Sequence, residues 1–181
     1  MMNEMVFDKG HRICVYDDVF DSAFSDYLYS FSMASNFSIG WVDSQDLNKR
    51  QYPSLYSPFS EDDVARLGII DALQKSKVSE ELKGYKISQC VLNLSTASHV
   101  NFLHTHQHDK VLLVYVNLEW GDGYHGETLF FDNTKKNIIF ASPYTPNRVI
   151  AFSGACNHTI RPQSHLAPYY RFTLSIFMQK E

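Results

Sequence analysis

Residues 102–117 read FLHTHQHDKVLLVYVN, with histidines at 104, 106 and 108 ahead of six consecutive apolar or aromatic residues, 111–116. Side chains on an extended strand point alternately to opposite faces, so His104 and His106 project to one side if LHTH is extended. Two imidazoles placed in this way can grip one ion. Polar strand faces also carry histidine for no chemical reason, so the pair acquires meaning only from the rest of the chain.

Further along, residues 148–178 read RVIAFSGACNHTIRPQSHLAPYYRFTLSIFM. A strand is expected to end near Phe152, with His158 on the following turn and Arg171 opening another alternating strand. On that strand Arg171, Thr173 and Ser175 share one face, and Phe172, Leu174 and Ile176 share the other. A polar inner face predicts a lined cavity. From about residue 85 the pattern alternates, giving candidate strands over 85–94, 111–117, 127–132, 137–141, 147–152 and 169–178. The segments GDGY (121–124) and SPYTPN (142–147) punctuate them with turn residues.

Upstream the period is helical. Phe20, Phe24, Tyr27, Leu28 and Phe31 predict an amphipathic helix over 21–33, capped by Asp21 or Ser22. SEDD at 60–63 predicts a second helix, with Ser60 as cap and Val64, Leu67 and Ile70 on its apolar face. Residues 42–59 have loop composition and are expected to fold over a site as a lid. The expected class is mainly β with N-terminal helices: a sandwich or barrel with the helices packed against it.

A chain of 181 residues fits one domain with a real core. Net charge is -4, and the 16 Lys and Arg are scattered, so nothing signals electrostatic capture of nucleic acid. MMNEMVFDKG lacks a basic region followed by an apolar stretch, and no apolar run approaches the roughly 20 residues needed to span a bilayer. The expectation is a soluble cytoplasmic protein that makes no membrane contact. Cys14, Cys90 and Cys156 share no CxxC spacing, which argues against a disulfide framework or a cysteine-based zinc site.

The ordered set HTH, LLVYVNLEW, HGETLFFD, PNRVIAFSG, a late His and RFTLSIF, over roughly residues 85–179, resembles the iron(II) and 2-oxoglutarate dependent dioxygenases, in their small prolyl 4-hydroxylase-like branch. The resemblance implies a double-stranded β-helix, or jelly roll, over 85–179, with 1–84 as helical support and loops within a single 1–181 domain. It also implies a metal triad of His104, His106 and His158, with His106 standing where the family has an aspartate. Fe(II) would be the metal, 2-oxoglutarate and O2 the cosubstrates, and ascorbate a candidate accessory.

Arg171 matches the family's basic anchor for the distal carboxylate of 2-oxoglutarate, and Tyr115 matches a tyrosine that donates to it. Arg161 is a further candidate near the mouth. The reaction implied is hydroxylation of an unactivated C–H bond in a peptidyl or small-molecule substrate that the sequence does not identify. Two alternatives stand beside it: a cupin-like three-His dioxygenase that ignores 2-oxoglutarate, and a non-catalytic sensor of metal or 2-oxoglutarate.

Each residue also has a bland reading. Arg171 could pair with an acid and Tyr115 could be core. Asp109 could orient an imidazole or replace His106 as ligand. His108 reads as a solvated loop residue, while His99, His125 and His165 read as surface or rim, and His11 is uninformative. Cys156 reads as a small buried thiol and Glu127 as a turn residue with no catalytic role. Loops 36–59 and 119–126 are expected to shape the substrate site, with Trp41, Tyr52, Tyr56 and Tyr124 as rim aromatics.

Overall fold

The structure is a computed structural model that describes residues 2–7, 11–41, 52 and 54–181. Its strands are β1 Met2–Phe7, β2 His11–Tyr16, β3 Ser38–Trp41, β4 Ser54–Phe59, β5 Tyr85–Ser95, β6 Lys110–Tyr115, β7 Thr128–Phe131, β8 Ile138–Ser142, β9 Val149–Ser153, β10 Asn157–Ile160 and β11 Arg171–Lys180. A major sheet has the order β1-β2-β9-β6-β11-β5-β4-β3, and a minor sheet the order β10-β7-β8. All of these pairings are antiparallel.

The central strand β11 lies between β5 and β6 and is buried over its first eight residues. Alternation gives its two faces different neighbours. Phe172, Leu174, Ile176 and Met178 join the apolar cluster that holds Leu28, Val64, Leu67, Ile69 and Leu73 of the helices. Phe177 belongs instead to a second cluster with Leu113, Tyr115, Ile150, Phe152 and Phe130, which fills the space towards the minor sheet. The helices therefore cover one face of the major sheet, and the other face closes a barrel. Each fully buried leucine or isoleucine in these layers contributes about 1.5 to 3 kcal/mol.

The helix expected over 21–33 is α1, Ser22–Ala34, capped by Asp21, whose Oδ1 accepts from Phe24 N at 2.8 Å. Ser60 caps α2, Glu61–Arg66, in a reciprocal capping box with Asp63. The single helix expected after it breaks in two, because Gly68 takes a left-handed conformation and α3 begins afresh at Ile69–Gln74.

Strands were also present where the sequence reads as support or loop. Segment 1–84 contributes β1 to β4, so it extends the major sheet at both edges besides supplying helices. β4 occupies 54–59, the end of the expected lid. Its Pro58 pairs with Val91 of β5, beyond Tyr56, where the pairing with β3 ends. The rest of that lid, 42–51 and 53, lies outside the described residues. No helix among the described residues is long and apolar enough to cross a membrane.

Just past the histidine stretch, Lys110 Nζ donates to Glu81 Oε2 at 3.0 Å and sits 4.0 Å from the Tyr85 ring centroid, while Tyr16 donates to Glu81 Oε1 at 2.6 Å. Burial pushes the Glu81 carboxyl up, but the bonds from Tyr16 and Lys110 outweigh it and hold it below its ordinary value of 4.5. Its stabilising effect is therefore present above that pH and lost as the pH falls through the lower folded value. Lys110→Met is expected to lower unfolding free energy at neutral pH by about 3 kcal/mol. Denaturant titrations should show that loss shrinking as the pH drops below about 4.5.

Candidate functional site

Three imidazoles meet because two chain segments meet. His104 and His158 form an antiparallel bridge in which each backbone N–H donates to the other's carbonyl at 3.0 Å. Residues paired in this way place their side chains on one face, and the two rings lie 4.3 Å apart between centroids. Two residues on, His106 N donates to Gly154 O at 2.7 Å, which brings the His106 ring to 4.9 Å from both of the others. The ligand atoms of all three lie within 4.8 Å of one another.

The ring hydrogen bonds choose the tautomers. His104 Nδ1 is 2.8 Å from Phe102 O, and His158 Nδ1 is 2.9 Å from Cys156 O. A carbonyl accepts only, so each Nδ1 carries its proton and each Nε2 keeps a lone pair for a ligand. His106 Nε2 stands 3.2 Å from His158 Nε2. Two nitrogens bound to one ion at about 2.1 Å are separated by roughly that distance, so the donors fit a shared metal. Burial, then the neighbouring His104 and His106, holds His158 well below the ordinary histidine range, in its neutral ligating form.

No carboxylate belongs to this cluster among the described residues. Asp109, the sequence alternative to His106, faces elsewhere: its Oδ2 accepts from Lys180 N at 2.9 Å, and its backbone carbonyl accepts from Gly154 N. His108 is half-buried in its loop; its ring packs 4.7 Å from Phe177 and its Nδ1 meets Ser88 Oγ at 3.1 Å. Cys156 is buried, its thiol pushed up to about 11 by burial, and it serves the site through its carbonyl.

The same cavity reaches Arg171, Thr173 and Ser175, the polar face expected of β11, together with Asn93, Ser95 and Thr128. Arg171 is 1% exposed. Its Nε donates to Gly126 O at 3.2 Å, its guanidinium carbon lies 4.6 Å over the Tyr144 ring and 5.6 Å from the Tyr115 ring, and its buried Nη2 has no hydrogen-bond partner among the described residues. Burial lowers its pKa, opposed by Tyr144, Tyr115 and Glu127, but a guanidinium stays charged. A buried cation with an unmet donor is a site for an anion.

Other expected residues sit differently. Tyr115 is buried, stacked on Tyr144 at 4.3 Å, and its hydroxyl donates to Thr128 Oγ1 at 2.7 Å; Thr128 lines the cavity and Tyr115 does not. Arg161 lies near the surface, 3.6 Å from Glu127 Oε1 and 3.4 Å from His125 Nε2. Tyr52 and His99 line the cavity, whereas Tyr56 packs with the inner core and Tyr124 packs edge-on against Trp120. The Trp41 side chain lies outside the described residues. Loop 119–126 backs Arg171 through Gly126 O.

Sequence reading passed over Tyr144, Asn117 and the polar residues of β5. Asn93 and Ser95 were detectable, since they alternate with Leu92 and Leu94 as Thr173 does with Leu174. Tyr144 gave no such signal, because an aromatic between prolines reads as turn.

The sequence matches no protein-family model and no curated protein. Solved structures share its fold. A prolyl hydroxylase from Trichoplax adhaerens, in complex with a hypoxia inducible factor oxygen degradation domain peptide, superposes with TM-score 0.66 at 13% identity, over 93% of this chain and 83% of that one. A Pseudomonas putida prolyl-4-hydroxylase gives 0.65 at 12% identity, over 94% of each. HygX from Streptomyces hygroscopicus, with nickel, 2-oxoglutarate and hygromycin B bound, gives 0.64 at 12%, over 93% and 82%. The fold is the jelly roll of the 2-oxoglutarate and iron(II) oxygenases.

Gly154 fixes the approach of the two histidine segments, since a Cβ there would fall inside the His108 carbonyl and press on that of His106. Gly154→Ala is expected to cost about 1 to 3 kcal/mol by overpacking. Histidine ring signals in NMR should shift for His106 more than for His99.

Proposed function

We infer that this chain is an iron(II) and 2-oxoglutarate dependent oxygenase, one domain over 1–181 with its jelly-roll core at 85–179, hydroxylating an unactivated C–H bond of a peptidyl or small-molecule substrate. His104, His106 and His158 hold the metal, and Arg171 anchors the cosubstrate. The observation that carries this reading is the buried Arg171, with an unmet Nη2, in the cavity that also holds three converging imidazoles. Support comes from the neighbours of this fold, among them one with nickel and 2-oxoglutarate bound.

When bound, the iron supplies the oxygen chemistry, driven by oxidative decarboxylation of 2-oxoglutarate. The chain's part is to hold and orient. Carbonyls of Phe102 and Cys156 fix two ligand rings, and Phe130, Phe152 and Phe177 crowd the histidines against water. Arg171 takes the distal carboxylate. Thr128, whose oxygen already accepts from Tyr115, has its own proton to donate into the cavity, so Tyr115 acts on the carboxylate through Thr128. Arg161 stays at the mouth, tied to Glu127.

The absence of a carboxylate from the imidazole cluster among the described residues favours a second reading, the three-His dioxygenase that needs no 2-oxoglutarate, but that reading leaves Arg171 without a purpose. Consumption assays separate the readings: an oxygenase consumes 2-oxoglutarate slowly even without its primary substrate, a three-His dioxygenase ignores it, and a sensor binds without turnover.

Anaerobic iron(II) titration with 2-oxoglutarate should perturb the iron's optical spectrum in the parent, and His104→Ala and His158→Ala should abolish the change. Iron binding by both variants equal to the parent's refutes the ligand assignment. Arg171→Ala should retain iron yet weaken 2-oxoglutarate binding by about 2 to 5 kcal/mol, thirty-fold or more. His106→Asp should keep a metal site with an altered spectrum, since carboxylate and imidazole both bind iron(II).

A further inference from the structure

A charged guanidinium this deeply buried needs something to hold its plane. Among the described residues the Arg171 side chain has one hydrogen bond, from Nε to Gly126 O, and its closest aromatic neighbour is Tyr144, whose ring lies 4.6 Å below the guanidinium carbon. Tyr144 is itself fixed from every side. Tyr115 stacks on it at 14° between planes, and Trp120 packs 4.4 Å from it. Backbone N–H groups of Val116 and Asn117 donate to its hydroxyl at 3.1 and 3.0 Å, and that hydroxyl donates to Phe172 O at 2.6 Å, with Asn117 Oδ1 in reach at 2.7 Å.

Those contacts also grip the chain around the cation. Asn117 Oδ1 accepts from Phe172 N at 2.8 Å and its Nδ2 donates to Tyr170 O at 2.9 Å, so the residues before and after Arg171 are both tied to the Tyr144 and Asn117 pair. Gly126 completes the clasp, since a Cβ there would press on Arg171 Nε and Cδ and on Trp120.

We propose that Tyr144 is a positioning residue for the anion site: its ring face holds the Arg171 guanidinium by a cation–π contact in place of a protein carboxylate, leaving the Nη edge to an anionic ligand. This deepens the reading of Arg171 as the 2-oxoglutarate anchor and rests on it. A carboxylate in that place would compete with the ligand; an aromatic face attracts the cation without occupying its donors.

The test is calorimetric titration of 2-oxoglutarate into the anaerobic, metal-loaded protein, with metal affinity and melting temperature measured alongside. Tyr144→Met and Tyr144→Leu keep bulk without a ring face, and each is expected to weaken 2-oxoglutarate binding about tenfold while metal affinity stays at the parent's value. Tyr144→Phe loses the hydroxyl and so melts lower, yet keeps the face and is expected to bind 2-oxoglutarate within about threefold of the parent.

Affinity that falls in step with melting temperature across all three variants, or both ring-less variants failing to fold, makes Tyr144 a core residue only and overturns the assignment. Arg171→Ala in the same titration separates the two claims. Undiminished binding by Arg171→Ala refutes the cosubstrate reading itself. Its loss beside full binding by Tyr144→Met refutes only the positioning role.

Discussion

The site depends on one backbone pairing, the two reciprocal hydrogen bonds between His104 and His158. His158 sits on β10 of the minor sheet, and His104 lies in the connection between β5 and β6 of the major sheet. The bridge joins the sheets at the point where the imidazoles must meet. Its geometry is coarse enough for any sequence that can be extended there. What makes it specific is the crowding: Gly154 under the His106 to His108 backbone, and Phe130 and Phe152 against the His158 ring. The positions of the three imidazoles are therefore consequences of sheet closure.

At the other end of the cavity the fold tolerates a charge that would ordinarily be prohibitive. Removing a guanidinium from water costs several kcal/mol even after relaxation, and here no carboxylate among the described residues hydrogen-bonds to it. One carbonyl, two tyrosine faces and the clamp on its flanking backbone hold it. An enclosed cation left in this state is more easily understood as half of an ion pair whose other half arrives in solution, which is the strongest argument that the cavity takes an anion.

Much of this was legible in the chain. The alternation in LHTH and in RFTLSIF assigned His104, His106, Arg171, Thr173 and Ser175 to inner faces, because period two carries over directly into side-chain direction. The strands β1 to β4 were not legible: β4 is rich in serine and carries a proline, and the hairpin of β1 and β2 is decided by pairing with β9, a contact distant in sequence. Tyr144 was hidden for a related reason. Its importance lies in what surrounds it in three dimensions, and a tyrosine between prolines has no period to betray it. Asp109 misled in the opposite sense: its nearness in sequence to the histidines suggested a place at their rings, whereas its carboxylate accepts from Lys180 N at the end of β11.

The two unusual features of the site act in the same direction. Three neutral imidazoles around a divalent ion leave one more positive charge than two imidazoles and a carboxylate would, and Arg171, held by ring faces, adds another with no acid among the described residues bonded to it. In the proposed reading, a dianionic cosubstrate enters a cavity where, among the described residues, no carboxylate belongs to the imidazole cluster and Glu127 acts on Arg171 only through its field. Each positive centre then raises the affinity of the anion, and by reciprocity the anion raises the affinity of the metal, since a coupling free energy between two ligands is shared equally. Metal binding without the anion must work against the field of a buried guanidinium, in a medium that screens poorly. A carboxylate ligand would relax that opposition and with it the coupling. In that reading the histidine at 106 trades intrinsic hold on the metal for a stronger dependence of metal and cosubstrate on one another.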